Sequence, residues 1–149
     1  MNKMKSAKFD EEFIKNLLKQ KEGEKLDFKL KITSKEKIAK TLSALSNSQG
    51  GFIVVGMSDQ KKIVGIDPEE ERYMIEASNE EFCTPSASLI IDEIKVFQEK
   101  FPSAELGSET SMLIVEVKKS PSAVIFFKNK IGEMKAYKRI NDRTVAMSI

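Results

Sequence analysis

Residues 25–32, KLDFKLKI, alternate without a break. Leu26, Phe28, Leu30 and Ile32 share one parity, and Lys25, Asp27, Lys29 and Lys31 share the other. Successive side chains of a strand point to opposite faces, so this period predicts a strand with one apolar face. The other face then carries ammonium groups around a lone carboxylate. A strand of this kind commits the fold to a sheet and requires other elements to cover the apolar side.

The rest of the chain supplies them. Asp10 precedes EEFIKNLLKQ, whose Phe13, Ile14, Leu17 and Leu18 mark an amphipathic helix with acids in its first turn. Ser34 can cap a second helix, KEKIAKTLSALSN, with Ile38, Leu42 and Leu45 on one stripe. SQGG ends that helix, FIVVGM reads as a buried strand, and IVGI as a returning strand. Pro68 stands in the first turn of a third helix, DPEEERYMIEAS, where its missing N–H is harmless. SLIIDEIKVF, SMLIVEVKKS, AVIFFK and EMKAYKRI read as further strands, and NDRTVAMSI as a turn closing in a helical turn. Without regular βαβ alternation, the expectation is an α/β (α+β) fold: one domain over residues 1–149, with one mixed β-sheet flanked by helices. Residues 1–21 form an N-terminal helical segment in this reading.

A chain of 149 residues can bury roughly two thirds of its unfolded surface. No apolar run approaches the ~20 residues of a membrane helix, so no membrane partner is expected. MNKMKSAKFDEEF has lysines but no apolar stretch behind them, which argues against a secretory signal. The single cysteine, Cys83, excludes an intramolecular disulfide and fits a reducing cytoplasm as a small buried hydrophobe.

The chain contains no histidine. A Ser-His-Asp triad, a Cys-His pair and a His-liganded zinc are thereby excluded within one chain. Chemistry is left to carboxylates, lysines, hydroxyls or a hard metal ion held by oxygens. Net charge is only +2, but residues 67–109 hold twelve acids against three bases, and residues 118–143 hold eight bases against two acids. Segregated charge of this kind speaks to partners rather than to fold.

Three stretches are candidates for one site. Glu22 and Asp27 bracket the start of the alternating strand. LSNSQGGFIVVGMSD runs helix, glycine pair and strand to Asp59. YKRINDRT presents Lys138, Arg139 and Arg143 around a turn. Gly50 can cap the helix, and Gly51 leaves room for backbone or a phosphate. No phosphate loop is present, because the glycines precede a strand and no Lys-Ser/Thr follows. Asp27 either relieves repulsion in its lysine row or, with Glu22 and Asp59, holds Mg²⁺ or Mn²⁺.

EGEKLDFKLKI followed by IAKTLSALSNSQGGFIVVGMSDQKKIVGI resembles the Schlafen-type AlbA-like domain, also labelled divergent AAA. CTPS, MLIVEVKKSP and YKRINDRTVAM extend the likeness over residues 22–146. The resemblance implies a mixed α/β domain that binds nucleic acid, DNA or RNA. In bacteria such domains stand alone or join regulatory partners, among them transcriptional regulators. On this reading Lys29, Lys31, Lys35, Lys138, Arg139 and Arg143 contact phosphates, and Asn47, Gly50 and Gly51 belong to the same surface, with no cofactor needed. In vertebrate relatives three carboxylates make a metal-dependent endoribonuclease; they correspond to Glu22, Asp27 and Asp59, catalytic residues and Mg²⁺ or Mn²⁺ ligands in that alternative. Those enzymes pair two such lobes, which a homodimer of this chain would supply. Departures are Gly23 for the usual serine, Asp27 for a glutamate and Asn141 for a glycine. The shorter Asp27 would shift a metal ligand by roughly one C–C bond, which bears on catalysis and not on binding. ATP binding, suggested by the AAA label, lacks a Walker A motif.

Overall fold

Side-chain caps start the helices of the computed structural model, which describes residues 9–97, 101 and 110–148. The Asp10 carboxylate accepts from Phe13 N–H and opens α1 (Glu11–Lys19). Ser34 Oγ accepts from Lys37 N–H and opens α2 (Lys35–Asn47). Asp67, with Pro68 behind it, opens α3 (Pro68–Phe82). Each cap satisfies donors that the first turn leaves without a helical partner. Residues 1–8 of the expected N-terminal segment lie outside the described residues. No helix among the described residues is long and apolar enough to cross a membrane.

The strands form two sheets, and the fold is α/β with two sheets in place of the single one expected. The mixed sheet has the order β1 (Leu26–Lys29), β2 (Gly51–Val55), β5 (Thr110–Val117), β4 (Leu89–Val96). β1 runs parallel to β2 with Asp27 beside Ile53; β5 is antiparallel to both β2 and β4. The second sheet has the order β3 (Cys83–Thr84), β6 (Phe126–Lys128), β7 (Met134–Ile140), β8 (Arg143–Ala146), all antiparallel. Residues 63–66, expected as a strand, make only a single bridge from Ile63 to Met57. The expected C-terminal helical turn is instead β8, paired along β7 from Tyr137 to Ile140.

Both faces of the mixed sheet are covered. Leu26, Val54, Met112 and Ile114 point to one face and pack with Ile14 and Leu17 of α1. Ile53, Val55, Leu113 and Val115 point to the other and pack with Ile38, Leu42 and Leu45 of α2, Ile75 of α3, and Ile125 and Phe127 beneath the second sheet. The parity read from the sequence thus places Leu26 and Phe28 together, but the opposite face is interior, not open to water. The alternation also stops early. β1 ends at Lys29, Leu30 is 53% exposed, and Ile32 joins the core on the other side. The buried Glu71 carboxylate of α3 accepts from Ile32 N–H at 2.8 Å and draws the chain off the sheet.

α2 carries a polar seam as well as an apolar one. Ser43 Oγ donates to Ile125 O and accepts from Tyr137 N–H. The Asn47 side-chain amide donates to Ile125 O and Tyr137 O and accepts from Ile125 N–H. Ser48 Oγ accepts from Arg139 N–H. Helix side chains thereby take up the Tyr137 and Arg139 backbone groups on the side of β7 where β6 stops pairing at Ala136, as a longer β6 would.

Candidate nucleic-acid interface

Segments distant in sequence line one open cleft of about 330 Å³: Lys21, Glu22 and Phe28 from around β1, Ser58, Asp59 and Lys61 from the turn after β2, and Asp142 from the β7–β8 turn. Lys61 holds the wall in place. Its ammonium donates to Leu18 O and Gln20 O and sits 4.7 Å from the Phe28 ring centre. Glu22 accepts from Phe28 N–H at 2.8 Å. Partial burial raises its pKa above the ordinary carboxylate value, and the neighbouring Asp27 adds to the rise, while Phe28 N–H and Lys29 oppose it.

Asp27 does not face the cleft. It is 5% exposed, and Oδ1 accepts from Arg139 Nη2 at 3.1 Å. Oδ2 has no hydrogen-bond partner among the described residues, but the Lys29 ammonium stands 3.2 Å from it as an ion pair. Arg139, expected on phosphate, is itself 5% exposed. It also donates to Gly23 O, Leu26 O and Thr144 Oγ1, joining the start of β1 to the second sheet. A guanidinium buried this way needs a buried carboxylate, which answers why an acid sits in the lysine row.

The Glu22, Asp27 and Asp59 set does not fit a metal ion. Among the described residues no group of three or more carboxylate or thiol side chains could hold one. Asp27 already answers two cations, so a dication beside it would meet their charge. The acid that joins Glu22 and Asp59 in the cleft is Asp142, in the YKRINDRT turn, which sequence reading singled out for its cations alone.

The remaining candidates divide. Lys31 is exposed and, with the half-buried Lys29, lines a shallow groove at the start of α2 together with Lys37. Lys138 and Arg143 are exposed on β7 and β8. Lys35 pairs with Glu81 at 3.1 Å, a hydrogen bond that raises its pKa. Asn47 belongs to the α2 seam. The glycines make room for backbone. Gly50 has φ +74°, and a Cβ there would lie 2.8 Å from Val117 O; at Gly51, φ +151°, it would lie 2.3 Å from Lys25 O. That contact is where β1 and β2 close together, with Phe52 N–H on Lys25 O.

A family model described as Schlafen, AlbA_2 matches residues 22–148. The chain belongs to the Schlafen AlbA_2 family. Among curated proteins none matches it. The family segment begins at Glu22, so it takes in all of the cleft but Lys21, with both sheets and the α2 seam, while α1 packs on from outside the match. In this Schlafen AlbA_2 chain the cleft holds three acids against two lysines, one of which is tied to backbone carbonyls. An anionic backbone would be repelled from such a floor and attracted to the exposed cations outside it.

Proposed function

We propose that this Schlafen AlbA_2 chain is a nucleic-acid-binding module, DNA-directed and regulatory, that grips phosphates through exposed cations. The family membership is consistent with such a module. The observation that carries the reading is the set of exposed cations beside the acidic cleft, on the strands and turns that converge there from distant parts of the chain. Lys31 is exposed just after β1, with the half-buried Lys29 at the strand's end, and Lys138 and Arg143 stand on either side of the β7–β8 turn. Tryptophan is absent and there are only two tyrosines, so stacking on unpaired bases has little to work with. Affinity should therefore be mainly electrostatic.

The test is a titration of labelled duplex DNA and of tRNA at 50 and 200 mM salt, with and without Mn²⁺. Four phosphate contacts predict a loss of about a hundredfold in affinity over that salt interval. No binding to either nucleic acid at 50 mM salt would end the proposal. Mn²⁺-dependent cleavage of tRNA, abolished by Glu22→Gln, would replace it with a nuclease.

A further inference from the structure

The β6–β7 hairpin ends in a tight turn, residues 129–133, and shows Ile131 to solvent at 79%, the most exposed large apolar side chain described. This tip is rigidly built. Asn129 N–H donates to Glu133 O, and Gly132 N–H donates to Asn129 O. The Asn129 carboxamide accepts from Ile131 N–H and Glu133 N–H and donates to the Glu133 carboxylate. Gly132 adopts φ +89°, which the turn demands. An apolar side chain is thus held at the end of an ordered ribbon.

The ribbon is cationic on both strands. Lys128 ends one arm, Lys130 stands in the turn, Lys135 and Lys138 lie on the other arm, and all four are exposed. None of them forms an ion pair among the described residues. Glu133, the single acid on the hairpin, is tied to Asn129. Hence the tip presents one aliphatic wedge with free ammonium groups on the chain before and after it.

We propose that this hairpin is a second contact, a wing that enters the minor groove of duplex DNA with Ile131 against the base steps and the lysines on the two flanking phosphate backbones. It rests on the nucleic-acid reading above. Minor-groove proteins use this chemistry, inserting an apolar side chain that partly unstacks a step while cations neutralise the backbones. A membrane surface would also attract cations and one apolar residue. Interfacial anchors favour tryptophan and tyrosine, however, and the turn has neither. The wing lies at the end of β7 opposite Asp142, and seven residues at about 3.3 Å each separate them by roughly 20–25 Å. A single duplex is long enough to meet both.

The experiment uses the full chain and a 20-base-pair duplex with 2-aminopurine beside a TA step, a readily deformed sequence. Wild type should bind and raise the 2-aminopurine fluorescence. Ile131→Ser, on an exposed side chain whose folding is checked by thermal melting, should bind about tenfold more weakly, lose the fluorescence rise and keep its salt slope. Lys130→Ala should instead keep the rise and lower the salt slope by about 0.9. If wild type binds and Ile131→Ser matches it in affinity and fluorescence, the wing is wrong and the general reading stands. If wild type does not bind the duplex, the wing falls, and if it binds neither the duplex nor tRNA, the general reading falls with it. Binding to phosphatidylserine vesicles that Ile131→Ser removes, with duplex binding untouched, would overturn the wing in favour of a membrane contact.

Discussion

Lys138 and Arg139 are neighbours on β7 and use their charge in opposite ways. Lys138 points to solvent, and no ion pair holds it among the described residues. Arg139 points inward to Asp27, Gly23 O, Leu26 O and Thr144. The same contrast separates the two regions they represent. The seam between the sheets, with Arg139, Asp27, Asn47 and the glycine pair, consumes its polar groups on backbone and buried charge. The hairpin and the turns around the cleft leave theirs to water. A polar residue inside a recognisable motif is therefore a ligand contact only if the protein's own backbone does not reach it first.

The comparison breaks most visibly at Arg139. Arg139→Met leaves Asp27 as a buried carboxylate without its guanidinium, and denaturant unfolding should show a loss of about 3–5 kcal/mol. A loss below about 1 kcal/mol would mean the pair does not hold the sheets together. Asn47→Ala should rank next, at about 2–4 kcal/mol, because Ile125 N–H, Ile125 O and Tyr137 O each lose a partner.

Glu22 stands at the border between the regions, and its effect should be smaller and depend on pH. Its pKa is raised in the folded protein, so the folded state binds a proton more tightly than the unfolded chain. That contribution is fully present below the ordinary carboxylate pKa and is lost as pH rises through the raised value. Glu22→Gln should therefore raise the melting temperature slightly at pH 7, relative to wild type, and lose that advantage near pH 4. An advantage that is equal at both pH values would deny the link to ionisation. On the solvent side, Lys138→Ala should change stability by less than about 0.5 kcal/mol while lowering the salt slope of duplex binding by about 0.9. A destabilised Lys138→Ala would place that lysine with the seam.

Much of the fold was legible because it rests on local rules. Asp10, Ser34 and Asp67 announced their helices as caps, and the apolar stripe of α2 and the run at β2 marked their elements. The parity of residues 26–28 was legible for the same reason. What covers each face was not, since KLDFKLKI looks identical whether its lysine row meets water or a second sheet. For that reason Leu30 was expected inside and is exposed, and Asp27 was expected outside and is buried. Of the candidate cleft, Glu22, Asp59 and the YKRINDRT turn are legible in the sequence, and the structure brings them together. Asp142 is not legible as a cleft residue, because a carboxylate in a turn reads locally as turn chemistry. Asn47 reads as a surface residue because nothing in α2 itself shows that β6 stops short of Tyr137 on β7.

By itself the sequence determined the helix starts, the pairing of apolar residues on shared faces, the exclusion of histidine chemistry and the split between an acidic and a basic half, all of which follow from side chains and near neighbours. The tertiary structure alone decided which charges stay free. Whether a guanidinium meets a phosphate or a buried aspartate depends on the strand that packs against it. In Arg139 and Asp27 that partner comes from 112 residues away in the chain.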